Sequence, residues 1–451
     1  MIKKQLLLCA PVSTRSGYGS HSRDVFHALH LVDKYDIKIL DVPWGDCPRN
    51  ALDVNNENDK LVIDNIMVEP VLKSQPDIYI DLRIPNEFQT YGKINIGFTA
   101  GIETNAVSVK WIDGCNKMDL NIVPSEHSRR SFMDTKFDKM EEHQGQGSVK
   151  VGEISLEKPM EVVFEGVHDD IYKKINVSDI DKNILDKINN TVKEDFAFLF
   201  VGQWVKGNYG EDRKDIFKLI KLFLESFANK KKRPALVLKT SGASFSIMDY
   251  ERTIENIKSV KSKFPNDWEL PNIYLMHGEL SDVEMNCLYN HPKIKSLVTF
   301  THGEGFGRPL LEASMVGLPV IASGWSGQMD FLDSDRSLLL QGKLEQIPKS
   351  ARWKDILIDE SKWFVIDENH AYDALIDMHQ NYFEYKRKAD ALMNINREKY
   401  TLKKMSILLD SIITKATEGV PSETKLKLPK LKKLKTNNDE KSLKLPKLKR
   451  V

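Results

Sequence analysis

Residues 303–312, GEGFGRPLLE, bring two carboxylates, three glycines and a proline suited to a helix's first turn into one short stretch. Glycines at 303, 305 and 307 leave no Cβ between the main chain and a ligand, so N–H groups there can approach a phosphate directly. The preceding run, 296–300 (SLVTF), reads as a buried strand, and Pro309 with Leu310, Leu311, Ala313, Ser314 and Met315 reads as a helix. The glycines therefore lie in a strand-to-helix turn, where the helix N-terminus adds a partial positive charge. Glu304 falls in the loop and Glu312 about one turn into the helix. Carboxylates so placed accept paired hydrogen bonds from neighbouring hydroxyls, which is how a ribose or a sugar is held. A glutamate at 312 also gains at most ~1 kcal/mol from the helix dipole alone. The whole loop, however, has the composition a phosphate-bearing, hydroxyl-rich ligand requires.

The elements that must hold this loop are visible as alternation. Short apolar runs at 6–10, 37–42, 77–82, 94–99, 120–123 and 162–164, then at 196–201, 235–239, 273–276, 296–300 and 319–322, alternate with amphipathic stretches to about residue 415. This is the pattern of parallel sheets with crossover helices. Two sets imply two Rossmann-like α/β domains facing across a cleft, with ligands outside the carboxyl ends of the strands. The polar stretch 169–194 places the boundary, and 383–415 reads as helix. The expected organisation is 1–175 as a domain for one substrate, 176–385 as a domain for the other, 386–418 as helices packing back on the first, and 419–451 as a tail.

Composition narrows the classes. The chain has 451 residues, enough for two sizeable cores, with 66 Lys+Arg against 65 Asp+Glu. The balance is uneven: 424–451 carries ten lysines and one arginine against Asp439 and Glu440, a net of +9, leaving −8 on 1–423. That tail repeats LKLPKLKK (426–433) as LKLPKLKR (443–450), copies too short and too charged to make a core. It is expected to be disordered when free, as a solubilising tail or as a contact for an acidic membrane surface, a nucleic acid or a protein. Four scattered cysteines, Cys9, Cys47, Cys115 and Cys287, suggest neither a zinc site nor a disulfide framework and fit a reducing cytosol. The N-terminal apolar run is too short for a signal peptide and reads as the first strand, and no run of ~18 apolar residues spans a membrane. The expected location is cytoplasmic, with peripheral membrane contact through the tail as an option. No Ser-His-Asp or Cys-His arrangement occurs, and the histidines lack metal-ligand spacing.

Residues 303–330, GEGFGRPLLEASMVGLPVIASGWSGQMD, resemble the E-x7-E donor segment of retaining glycosyltransferases of the GT-B fold, sequence family 4, with phage and other microbial members nearest. Further pieces agree in order: Gly17-Tyr18-Gly19 after the first strand, Glu103-Thr104 with Trp111, Val123-Pro124-Ser125-Glu126, Glu165-Gly166-Val167 and Phe200-Val201-Gly202-Gln203. The resemblance covers about 1–415. It implies that Glu312 binds the donor ribose, while Glu304 and the amides of Gly305, Phe306 and Gly307 face the sugar and phosphates. Phe306 contributes its backbone, and its ring suits a core. Gly17 and Gly19 would let the first helix approach donor phosphate or acceptor, with His21 and Arg23 following.

The family sets an arginine and a lysine after the first strand of its second domain, and no metal motif is present. Gln203 stands in the arginine's place. Lys214 is chosen as the phosphate lysine because it precedes the helix at 216–227, with Lys206-Gly207 as the competing alignment. Arg213 would take over from the missing arginine, and Lys239 at the end of 235–239 is a third cation. Each could equally be a solvated surface charge. The loop after 94–99 lacks the histidine many relatives place there, leaving Glu103 and Thr104 as acceptor-side contacts. His302 borders the loop.

The implied activity is transfer of a sugar from a nucleoside-diphosphate sugar to an acceptor hydroxyl of a glycan, lipid or small molecule, with retention and without metal or cofactor. Two other classes stay open: transfer to modified bases in DNA, which the basic tail would bring close, and a catalytically silent GT-B binding protein. An epimerase or phosphorylase on the same fold is a third option. The base, sugar, acceptor and oligomeric state are not encoded in any of these residues.

Overall fold

The computed structural model describes residues 3–143, 147–204, 209–242 and 245–419; Lys206 and all of the tail beyond 419 lie outside them. In the first half, strands β1 (Lys4–Ala10), β2 (Tyr35–Asp41), β3 (Ile78–Leu82), β4 (Ile94–Phe98) and β5 (Leu120–Val123) alternate with helices α1 (Gly17–Val32), α2 (Glu57–Asn65), α3 (Val109–Asn116) and α4 (Glu126–Asp134). An antiparallel hairpin, β6 (Phe137–His143) and β7 (Gly147–Ile154), precedes β8 (Met160–Val162). The parallel sheet has the order β2-β1-β3-β4-β5-β8. Helices on both faces leave the central strands little exposed, and all five residues of β3 are buried.

Helix α5 (Lys182–Thr191) leads into the second half. There β9 (Ala197–Gln203), β10 (Ala235–Ser241), β11 (Ile273–Met276), β12 (Ile294–Val298), β13 (Val320–Ser323) and β14 (Leu338–Leu340) form a second parallel sheet, order β11-β10-β9-β12-β13-β14. Helices α6 (Ile216–Phe227), α7 (Ile247–Lys261), α8 (Asp282–Tyr289) and α9 (Arg308–Met315) connect its strands. An antiparallel pair, β15 (Gly342–Gln346) with β16 (Lys362–Ile366), follows, then α10 (Glu368–Gln380), α11 (Tyr382–Lys399) and α12 (Leu402–Ala416). The expected architecture of two parallel-sheet α/β domains is the observed one.

Helix α12 crosses back to the first sheet, burying Leu402, Met405, Leu409 and Ile413 with Val25, Phe26 and Leu29 of α1. The chain enters it through a bridge between Val167 and Thr401, and the Thr401 side chain caps the helix by accepting from Lys404 N–H. The helical stretch expected over 383–415 is two helices, α11 and α12. The strand expected at 162–164 lies earlier, at β8, where Met160 and Val162 register with Asn121 and Val123. Similarly, the run at 296–300 becomes β12 two residues upstream, leaving Thr299 to His302 to turn toward the glycines. The polar stretch 169–194 contains α5, whose Ile184 and Ile188 are buried at i,i+4 spacing that its surrounding charges had masked.

Candidate functional site

The glycine loop is built by the close approach of two domains. Gly307, the residue before α9, has φ of 101°, a left-handed conformation that glycine adopts without strain. The Phe306 ring is buried against Phe331 at 5.1 Å, so this residue offers only backbone to the cleft. Gly303 and Gly305 face the first domain: a Cβ on Gly303 would stand 2.1 Å from the Glu103 carbonyl oxygen, and one on Gly305 2.1 Å from that of Ala100. Ser125 Oγ donates to the Gly305 carbonyl at 2.6 Å, and Glu126 N–H donates to Asp330 at 3.0 Å. These two glycines thus serve interdomain contact as well as the ligand access their sequence suggested. The N–H groups of Gly305, Phe306 and Gly307 take no hydrogen-bond partner among the described residues.

The cationic segment just before α6, residues 212–215, is pinned by hydrogen bonds. Asp212 accepts from Lys214 N–H at 3.2 Å and from Ile216 N–H at 3.0 Å, and Asp215 adopts φ of 49° at the start of α6. His302 N–H donates to the Arg213 carbonyl at 2.9 Å, tying this loop to the chain just beyond β12. His302 itself is buried, stacked on Trp363 at 4.1 Å and bonded through Nδ1 to the Phe364 carbonyl at 2.7 Å. It supports the loop from behind.

So held, Lys214 Nζ pairs with Glu304 Oε1. Arg213 lies 3.0 Å from Glu103 Oε1 and 3.7 Å from Glu304 Oε2. Four of the residues chosen from sequence, drawn from three distant segments, converge here. Burial alone would raise the Glu304 carboxyl, but Lys214 and Arg213 outweigh it and hold the pKa below its ordinary value. Burial lowers the Lys214 ammonium, and Glu304 only partly restores it. A small cavity opens beside the pair, lined by Val201, Lys214, Thr299, Glu304, Gly307 and Pro309.

Other candidates lie elsewhere. Lys239 Nζ donates to the Gly278 carbonyl at 2.7 Å and sits 5.4 Å from the Phe245 ring centre; burial pulls it down to about 8. It is not part of the Lys214–Arg213 cluster. Gly17 opens α1 facing free space, whereas a Cβ on Gly19 would stand 2.2 Å from the Thr14 carbonyl oxygen, a purely local reason for glycine. Thr104 is buried, with its hydroxyl donated to Ala106.

Glu312 is 6% exposed and belongs to a second network that the sequence reading did not assemble. Its Oε1 accepts from Arg308 Nε at 2.8 Å and its Oε2 from Tyr289 at 3.1 Å. The other arm of Arg308 pairs with Asp24 of α1, and His168 Nε2 lies 3.4 Å from the same carboxylate. Burial pushes Glu312 up to about 7, with Arg308 opposing, and pushes neighbouring Glu165 up to about 8. The i,i+4 spacing of Arg308 and Glu312 was available in the sequence; the partnership with Asp24, 284 residues away, had no local signal.

No family model and no curated protein matches the chain. Solved structures do. Anabaena HepE in complex with UDP-glucose superposes with a TM-score of 0.57 at 12% identity, covering 91% of this chain and 100% of that one. Sucrose-phosphate synthase from Thermosynechococcus elongatus gives 0.59 at 11% identity over 92% and 99%. A glycosyltransferase from Rickettsia africae gives 0.57 at 13% identity over 93% and 100%. The chain has the GT-B fold.

Proposed function

We propose that this protein transfers a sugar from a nucleoside-diphosphate sugar to an acceptor hydroxyl, with retention of configuration and with the protein's own cations in place of a metal. The observation that carries the reading is the convergence of Lys214, Arg213 and Glu304 beside three amides at the start of α9 that take no hydrogen-bond partner among the described residues. Departure of the nucleotide leaves charge on the β-phosphate oxygens, and fixed cations with aimed N–H groups are what stabilise it. In this account Glu103 and Glu304 hold the two cations in place until the diphosphate competes for them. Arg213, with 38% of its side chain exposed, is the one free to turn from Glu103 to the donor.

The bond from the anomeric carbon to the β-phosphate oxygen breaks with its electron pair on that oxygen. The acceptor oxygen bonds to the same face of the carbon, and its proton passes to the departing phosphate. No protein nucleophile is needed. The likeness to HepE, solved with UDP-glucose, supports a nucleotide-sugar donor without naming the base or sugar used here. Incubation of the purified protein with UDP-, GDP- and ADP-sugars, read by nucleotide release and by the anomeric proton signal of the product, tests the reading. A retained anomer supports it; absence of turnover and of binding across the panel would favour the silent scaffold instead.

A further inference from the structure

Arg308 is in an unfavourable place for a cation. It is the first residue of α9, where the helix dipole disfavours positive charge, and only 15% of its side chain is exposed. What keeps it there is a pair of carboxylates on opposite sides of the cleft: Glu312 on its own helix and Asp24 in the middle of α1. One guanidinium serves both, and the two are held unequally. Burial works against the Asp24 charge, yet Arg308 and His168 keep its pKa below the ordinary value; burial prevails at Glu312, which rises to about 7. With His168 also beside it, Asp24 is the better compensated of the two carboxylates. Both Glu312 oxygens are nevertheless occupied, by Arg308 and by Tyr289, so ribose hydroxyls reaching this carboxylate meet Arg308 as a competitor.

We propose that Asp24 and Arg308 form a ribose-coupled clasp across the cleft: as ribose hydroxyls take Glu312, Arg308 releases it and stays on Asp24, with which it is already paired, so that nucleoside occupancy and the strength of this interdomain contact become linked. This rests on the donor reading above and adds to it a positioning residue from the opposite domain. Asp24 touches no substrate; it acts by keeping hold of Arg308 when Glu312 turns to the ribose. Reciprocity follows from linkage: whatever closure gains from the nucleoside, the nucleoside gains from closure. The contacts closure protects are those of Gly303 and Gly305 with Glu103 and Ala100. A probe with phosphates but no ribose should be indifferent to the clasp.

The test uses the full-length protein with UDP, GDP and ADP against inorganic pyrophosphate, by calorimetry. Asp24→Asn, which keeps size and removes charge, should weaken the tightest nucleotide about tenfold or more and leave pyrophosphate within about twofold. In a Glu312→Gln background the Asp24→Asn effect should vanish, because Asp24 acts only through the Arg308–Glu312 bond. Should Asp24→Asn not fold, Arg308→Lys serves. A lysine keeps the charge, but its compact ammonium cannot span the two carboxylates as Arg308 Nε and Nη1 do, and the same ribose-selective loss is expected. Equal losses for nucleotide and pyrophosphate, or none, would overturn the clasp while leaving the donor reading intact. Failure of every nucleotide to bind the unaltered protein would overturn the donor reading, and the clasp with it.

Discussion

Replacing Lys214 with alanine tests whether it acts as a catalytic cation or as one more of the lysines that surround it in sequence. Lys214 has 12% of its side chain exposed and pairs with Glu304 beside the amides of Gly305 to Gly307. Removing one preorganised donor to a developing oxyanion costs ~10²–10³ in kcat, about 2.7–4 kcal/mol. Arg213 stays behind, 3.7 Å from Glu304, but it is half-exposed and screened, so the loss should reach about 10² or more. Donor KM should move little, because the interaction strengthens as charge develops rather than on binding. Lys239→Ala is the internal control: its ammonium is committed to the Gly278 carbonyl and the Phe245 ring, and kcat should stay within about fivefold, or ~1 kcal/mol. The assay is steady-state nucleotide release, with thermal unfolding to confirm that both variants fold. A Lys214→Ala enzyme within about fivefold of the parent, or a Lys239→Ala enzyme worse than it, would refute the assignment.

Gly305→Ala should lower kcat/KM about tenfold or more, read in the same assay, because its Cβ would stand 2.1 Å from the Ala100 carbonyl and force the two domains apart. Glu165, pushed up to about 8 by burial from an ordinary value of 4.5, contributes stability as its protonated form; that contribution is complete below the unfolded value and lost as pH rises through the folded one. The melting temperature should therefore fall between about pH 4.5 and 8 in the parent, and fall less in Glu165→Gln. Leu409→Ala, at a position with 0% exposure where α12 packs on the first sheet, should cost about 2–5 kcal/mol in denaturant unfolding.

Most of the fold was legible because parallel strands covered on both faces carry short apolar runs, such as residues 78–80 of β3 and 235–238 of β10. Short or charged pieces were lost: the hairpin β6–β7, exposed β15, three-residue β14, and β16, whose Trp363, Phe364 and Ile366 are buried. In the site, Lys214, Arg213 and Glu304 could be chosen because each lies in or just beyond a loop that follows a strand, where an α/β sheet delivers its ligands. The second role of Gly303 and Gly305 was hidden, since a glycine needed for ligand access and one needed for a neighbouring backbone look alike in sequence. Asp24 sits in the middle of α1 among residues at ordinary helical spacing, and only the tertiary fold brings it to Arg308.

The most direct test is a structure of the protein with its nucleoside diphosphate bound. The account predicts β-phosphate oxygens within hydrogen-bond reach of Lys214 Nζ and of the N–H groups of Gly305, Phe306 and Gly307, with ribose hydroxyls on Glu312. A nucleotide seated away from the glycine loop, with the Lys214–Glu304 and Arg308–Glu312 pairs undisturbed, would contradict it.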